Sequence, residues 1–408
     1  MLFSRKRVIR MTGTGMKKNR ILITCAKGIT PFLKEELTQL GFPIISETIA
    51  GIATEGTMDD TLRLNLMLRT GHRVLFLIKQ FLALDADDLY RSLSEIAWED
   101  YIAEDGYVCV TSSVDNTSIR DSRYANVKSK DAIVDRIKSR RGRRPDSGPD
   151  KSNTVVNIYW KDEECAVYFD TSGEALSQRG YRKLPMSAPM QETLAAAVIR
   201  ATGWNGSRNF INPMCGSGTL AIEAALIALN RAPGLLRDNY GFMHIKGFNK
   251  PLWDNLRTQA KKESRKALQC RIIATDISRQ SLEAAKKNAA TAGVDHLIEF
   301  GVCDYSETTI PEDRGTVILN PEYGRRMGNT GMLEVMYKGI GDFFKKRCSG
   351  CTGYVFTGNL DMAKKIGLKA KRRIPFFNGS IECRLLEYEM YEGSRRGEKK
   401  TGDLTGEG

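Results

Sequence analysis

The residues of this chain best suited to chemistry are Asn320, Pro321 and Tyr323, which follow the apolar run T-V-I-L at 316–319. An exocyclic amine on a nucleobase is a poor nucleophile, because its lone pair is delocalised into the ring. Two fixed acceptors for its N–H groups let the nitrogen turn pyramidal and aim that lone pair outward. The side-chain oxygen of Asn320 and the backbone carbonyl of Pro321 can serve as that pair. Tyr323 can stack on the base, which is worth about 1–3 kcal/mol. Glu322, between them, leaves the carbonyl of Pro321 in place. Read as structure alone, N-P-E-Y-G is a turn that ends a strand.

A donor site lies upstream in F-I-N-P-M-C-G-S-G-T, residues 210–219. Gly216 and Gly218 allow a ligand to approach the backbone, and the amides that follow point outward at a helix start. Asn212, Pro213, Cys215 and Thr219 complete the loop. As G-x-G-x-x-A it also fits a nicotinamide site, with Asp238 placed as the ribose acid. Asp238, however, follows Pro233-Gly234 in a loop and ends no strand. The first carboxylate at a strand end is Asp276, followed by Ile277, in I-I-A-T-D-I-S. Its two oxygens can accept from two ribose hydroxyls; the alternative is a cap on the helix expected at 281–292. Asp304, in V-C-D-Y, has the same place after the next strand and suits an adenine amine or a plain turn. The glycine loop, the two aspartates and Asn-Pro end four strands at one edge of a parallel sheet, which describes an S-adenosylmethionine site. A sulfonium donor leaves as a neutral thioether, so alignment and fixed dipoles suffice without a strong base.

Elements able to position these residues follow from periodicity. Residues 20–105 alternate strand and helix, with helices expected at 31–40, 57–68 and 87–97 and strands at 52–54 and 73–81. A second unit, 106–170, has a strand at 107–112, a helix at 130–140 and a hairpin of 154–160 with 164–170. From residue 185 the pattern is strand, loop, helix: strands at 209–212, 271–275, 299–302, 316–319 and 354–357 make a doubly wound parallel sheet. A hairpin of 371–377 with 383–391 is expected on its edge.

The chain carries 62 Lys and Arg against 49 Asp and Glu, a net charge of +13, which favours a polyanionic partner. Its nine cysteines are dispersed, as suits a reducing compartment, and the cytoplasm is the expected location. Cys348 and Cys351 have zinc-ligand spacing, but no second pair follows and the three histidines lie far off, so no metal is expected. The most apolar run, 74–84, is too short to span a membrane.

With these residues in hand, the chain resembles the bacterial THUMP-domain class I RNA methyltransferases, close to those acting on guanine N2 of 23S rRNA. The resemblance rests on T-C-A-K-G-I-T-P-F-L-K-E-E-L, K-S-K-D-A-I-V-D-R-I, F-D-T-S-G-E-A-L-S-Q-R-G-Y-R, A-P-M-Q-E-T-L-A-A-A and N-P-M-C-G-S-G-T. It implies an α/β architecture: a ferredoxin-like segment at 20–75, an α+β THUMP domain at 76–172 and a Rossmann-like, seven-stranded methyltransferase domain at 173–392. A basic extension, 1–19, and a disordered tail, 393–408, flank them. The implied cofactor is S-adenosylmethionine and the implied partner is RNA, 23S rRNA or a ribosomal precursor. The alternatives are a tRNA guanine-N2 enzyme, an adenine-N6 DNA methyltransferase and a silent RNA-binding relative. The family usually has Asp where Asn212 stands and a second Pro where Glu322 stands. In the THUMP block, Lys128, Lys130, Arg136, Lys138, Arg140, Arg141, Arg143 and Arg144 read as phosphate contacts or as a solvated helix face. Lys371, Arg372 and Arg373 form a second basic group. Tyr240, Phe242, Phe248 and Trp253, beside Lys246 and Lys250, either wall the base pocket or pack on the sheet.

Overall fold

The computed structural model describes residues 17–119, 121–183, 190–323 and 330–391; the expected basic extension and tail lie almost wholly outside this set. The N-terminal half runs β1 (Asn19–Thr24), α1 (Thr30–Gln39), β2 (Ser46–Thr48), β3 (Gly51–Gly56), α2 (Met58–Met67), β4 (Arg73–Leu82), α3 (Ala86–Ser94), β5 (Tyr107–Asp115), α4 (Ser122–Arg141), β6 (Asp146–Ser147), β7 (Thr154–Lys161) and β8 (Glu164–Asp170). The two units separated by sequence pattern share one eight-stranded sheet, ordered β2-β3-β1-β4-β8-β7-β5-β6. β4 joins them. Val74, Leu75, Phe76 and Leu77 are all buried, as in a central strand covered on both faces. Phe76 stands opposite Ile21 of β1 on one side and Phe169 of β8 on the other. A boundary at 75/76 therefore falls inside a strand.

α4 starts eight residues before the helix expected at 130–140, with Asp121 as its N-cap accepting from the Arg123 N–H at 2.9 Å. Its first turns expose Tyr124 and Val127, so no buried stripe marks them in the sequence.

The second half runs α5 (Glu192–Ala201), β9 (Asn209–Pro213), α6 (Thr219–Ala228), α7 (Lys250–Glu263), β10 (Ile272–Asp276), α8 (Arg279–Thr291), β11 (Ile298–Val302), β12 (Gly315–Leu319), α9 (Thr330–Arg347), β13 (Thr352–Thr357), α10 (Leu360–Lys365), β14 (Arg372–Asn378) and β15 (Ile381–Glu389). Its seven-stranded sheet has the order β11-β10-β9-β12-β13-β15-β14. β9 to β13 are parallel, and β15 runs antiparallel between β13 and β14. Every residue of β9 and β12 is buried, as both faces of the sheet are covered by helices. Strand order reverses at β9, which puts the ends of β9, β10, β11 and β12 at one crevice.

Helices of the two halves pack against each other. α1 meets α5 and α2 meets α7, and their apolar faces merge into one core. The aromatic insert belongs to this junction, so of the two readings it takes the packing one. Tyr240, Phe242 and Trp253 are buried against one another, with Tyr240 and Phe242 stacked at 5.1 Å. The insert's backbone bonds the N-terminal layer: the Phe242 N–H donates to the Thr171 carbonyl (3.1 Å) and the Lys246 N–H to the Tyr101 carbonyl (2.8 Å). Lys246 Nζ adds a bond to the Glu99 carbonyl at 2.9 Å, and Asn249 Nδ2 one to Asp59 at 2.9 Å. Among the described residues, no helix is long and apolar enough to cross a membrane.

Candidate functional site

The turn after β9 is held from outside at three successive residues, 215–217. The Cys215 N–H donates to the Thr275 carbonyl at 2.9 Å, and the Gly216 N–H to Asp276 Oδ2 at 2.9 Å. Asn288 of α8 donates to the Ser217 carbonyl at 3.2 Å. Gly216 (φ +54°) and Gly218 (φ +83°) both adopt left-handed backbone. A Cβ on Gly218 would sit 2.9 Å from that of Ala285, so glycine lets α8 close on the turn. A Cβ on Gly216 would meet nothing within 4 Å: this face of the turn is an open cradle. Thr219 begins α6, and burial pushes the Cys215 thiol well up, so it stays a neutral packing group.

Asn212 is fully buried. Its Nδ2 donates to the Ile318 carbonyl of β12 at 2.9 Å, while Oδ1 has no partner among the described residues. A buried acceptor left open is costly unless a ligand completes it. Pro213 closes β9 beside it.

Asp276 does two jobs. Oδ2 takes the Gly216 N–H, and Oδ1 takes the Ser278 N–H at 2.9 Å. Each oxygen keeps a further lone pair for ribose hydroxyls. The cap of α8 is Ser278, not Asp276, so the capping alternative falls to its neighbour. Ile277 is 72% exposed and Val302, which the sequence reading missed, is 48% exposed; they leave apolar surface uncovered at the ends of β10 and β11. Asp304 caps a short turn, accepting from the Ser306 N–H at 3.0 Å, so its turn role is realised.

β12 lies parallel beside β9 with Val317 opposite Ile211, which brings Asn320 out next to the start of the glycine turn. Asn320 Oδ1 accepts from the Tyr323 hydroxyl at 3.0 Å and keeps a second lone pair. Pro321 is buried, and no donor among the described residues reaches its carbonyl. Tyr323 is partly buried against the core, and burial raises its hydroxyl well above the usual range. Residues 324–329, which end the Asn-Pro motif, lie outside the described set.

Sequence reasoning assigned no role to Arg182, although it lies in the quoted S-Q-R-G-Y-R run. Its guanidinium pairs with Glu192 (3.0 Å) and reaches Thr219 Oγ1 (3.2 Å) and Ser217 Oγ (3.4 Å), buttressing the glycine turn. Three residues earlier, buried Arg179 forms a two-pronged pair with buried Glu223 of α6 at 2.7 and 3.1 Å and donates to the Arg69 carbonyl at 2.7 Å.

The expected phosphate contacts divide. Arg136 is corrected: it turns inward to a two-pronged pair with Glu99 (2.9 and 3.2 Å) and the Ser94 carbonyl, because its helix position faces the core. Lys128 pairs with Asp87 at 2.8 Å over the Tyr90 ring, and Lys130 with Asp131 at 3.1 Å. Lys138, Arg140, Arg141, Arg143 and Arg144 remain exposed around the end of α4; Arg141 is only 3.9 Å-paired to Glu104 and Arg144 is 3.2 Å from Asp131. In the second basic group Lys371 and Arg372 are paired with Glu389 and Glu387 along the β14–β15 hairpin. Cys348 and Cys351 are buried at the α9–β13 turn. Among the described residues no group of three or more His, Cys, Asp or Glu is placed to hold a metal.

Comparison with known proteins agrees with this plan. An RMKL-like methyltransferase domain matches residues 179–387, an RlmL ferredoxin-like domain 20–75 and a THUMP domain 83–170. The chain is 36% identical over 384 residues to the ribosomal RNA large subunit methyltransferase K/L of Syntrophotalea carbinolica, across 91% of this chain and 54% of that protein. It is 34% identical over 368 residues to "Putative RNA methyltransferase slr0064" of Synechocystis sp., across 90% of this chain and 96% of that one. The chain thus spans about half the length of the K/L relatives it matches. The crystal structure of SMU.472 complexed with SAH superposes with a TM-score of 0.83 at 26% identity, covering 93% of this chain and 100% of that one.

Proposed function

This chain belongs to the RMKL-like methyltransferase domain family, and on that premise we propose that it transfers a methyl group from S-adenosylmethionine to the exocyclic N2 of a guanine in large-subunit rRNA. The observation that carries the reading is the meeting, at one crevice, of an open glycine cradle, a strand-end carboxylate with spare lone pairs and two acceptors beside each other at Asn320 and Pro321.

The residues present fit the cofactor. Asn212 Oδ1, buried and unpartnered, suits its ammonium group; the Gly216 face admits its backbone approach; Asp276 suits its ribose, and Ile277 and Val302 offer apolar surface to its adenine. Bound there, S-adenosylmethionine would supply an electrophilic methyl on a sulfonium whose leaving group is a neutral thioether. Asn320 Oδ1 and the Pro321 carbonyl accept the two amine N–H groups and direct the nitrogen lone pair. The surplus proton of the methylated amine passes to water, so no side-chain base is required. In a Watson–Crick pair one N–H of the guanine amine is already given to cytosine, so both acceptors are met only by an unpaired or flipped base that enters the crevice while the N-terminal layer holds the RNA body. The cytoplasm, where ribosomal precursors are found, is the compartment we assign.

Mass mapping of large-subunit rRNA from a deletion strain tests the substrate: one guanine should lose its methyl group, and unchanged methylation at every guanine overturns the proposal. Calorimetry with S-adenosylmethionine tests the class, since a silent RNA-binding relative gives no heat.

Replacing Arg140, Arg141, Arg143 and Arg144 together by alanine should weaken RNA binding and lower the slope of log affinity against log salt by about 2–3. An unchanged slope in a filter-binding titration would place the phosphate contacts elsewhere.

A further inference from the structure

The Asn320–Tyr323 turn is held less by itself than by α9 and the end of β13. The Glu322 carbonyl accepts from Tyr337 Oη at 3.2 Å, and the Tyr323 carbonyl from Asn359 Nδ2 at 3.0 Å. Counting protons orients the bonds behind the first contact. Thr357 Oγ1 accepts from the Asn359 backbone N–H at 3.0 Å and lies 2.6 Å from Tyr337 Oη. Each hydroxyl has one proton to give. Tyr337 gives its own to Glu322, so Thr357 gives its proton to Tyr337, and the chain runs one way, from the Asn359 amide to the Glu322 carbonyl. Tyr337 and Thr357 are fully buried, and burial pushes the tyrosine up to about 12, so it remains a neutral donor.

The Pro321 carbonyl lies in the peptide plane that joins it to Glu322. That plane swings through paired changes in ψ of 321 and φ of 322, and a proline at 322 would stop the swing by fixing φ. Glu322 has no such restraint of its own. Anchoring its carbonyl holds ψ of 322 instead, and at a held ψ sterics leave a non-glycine residue only a limited range of φ, so the plane cannot turn over.

We propose that Tyr337, oriented by Thr357, is a positioning residue that holds the 321–322 peptide so that the Pro321 carbonyl and Asn320 stay paired as acceptors, in place of a second proline. The proposal rests on the methyl-transfer reading of those two groups. Asn359 secures the other end of the turn through the Tyr323 carbonyl.

The test is rescue. Tyr337→Phe should lower kcat about tenfold to a hundredfold, the scale of a misplaced reacting group, with cofactor Kd and RNA KM unchanged. Adding Glu322→Pro to that variant should return most of the lost turnover, since proline fixes φ without the hydroxyl; a residue needed only for folding would not be rescued in this way. Should Tyr337→Phe fail to fold, Thr357→Val, which unorients the same hydroxyl, should show a smaller loss with the same rescue. Parental kcat in these variants, or no recovery with Glu322→Pro, overturns the proposal. Crystal structures of the parent and Tyr337→Phe decide independently of activity: a 321–322 peptide of unchanged orientation in the variant overturns it. A parent that binds RNA and cofactor but methylates nothing defeats the methyl-transfer reading instead.

Discussion

Asn320→Ala should reduce turnover by about a hundredfold to a thousandfold, the usual effect of removing one preorganised polar partner of the transition state, while cofactor affinity stays at the parental value. The amine's N–H groups become more acidic as the nitrogen gives up its lone pair, so an acceptor fixed in advance stabilises the transition state more than the bound ground state. Asn320 follows β12 directly, and the strand is fully buried, so the position of Oδ1 is set by the sheet rather than by the ligand. Its bond from the Tyr323 hydroxyl adds a second constraint, and alanine would release that hydroxyl too. Single-turnover methylation with labelled cofactor, alongside calorimetry, separates the two quantities. Parental turnover in Asn320→Ala would show that the amine is oriented by other groups.

The second large effect is on stability. Glu223→Ala removes the only carboxylate that the described residues place in hydrogen-bonding contact with the Arg179 guanidinium, in a site where the two side chains are 2% and 0% exposed. Breaking a buried pair by deleting one partner costs about 3–5 kcal/mol, because the remaining charge cannot return to water. Tyr181 also loses an acceptor, its hydroxyl donating to Glu223 Oε1 at 3.2 Å. Urea denaturation should therefore show a much lower midpoint for Glu223→Ala. The double variant Arg179→Met with Glu223→Ala should recover a substantial part of that loss, the coupling expected of residues in contact. Equal midpoints for parent and single variant would mean that water or another group reaches the pair.

Much of the site can be read from residue types because its parts are local. The run from β9 through Gly216 and Gly218 into α6 combines an apolar strand, glycines at positive φ and a helix start within a few residues. Asp276 and Asn320 are recognisable as strand ends for the same reason. What could not be read depends on distant partners. The union of the N-terminal units is made by β4 meeting β8 across almost a hundred residues of chain, which no local pattern records. Arg136 and Arg140 look alike in sequence, yet one turns to Glu99 and the other to solvent. Arg182 and Tyr337 act on turns far from them in the chain, and ordinary arginine and tyrosine carry no signal of that duty.

The aromatic insert at 240–253 has a mechanical consequence. With its rings buried in the junction and its backbone bonded to both Thr171 and Tyr101, the seven-stranded sheet and the layer bearing the exposed arginines at the end of α4 are packed into one body. Under the proposed function such a body would work as a caliper: an RNA gripped at one jaw would offer the other only nucleotides at a set span, adding selection by distance to any selection by base identity.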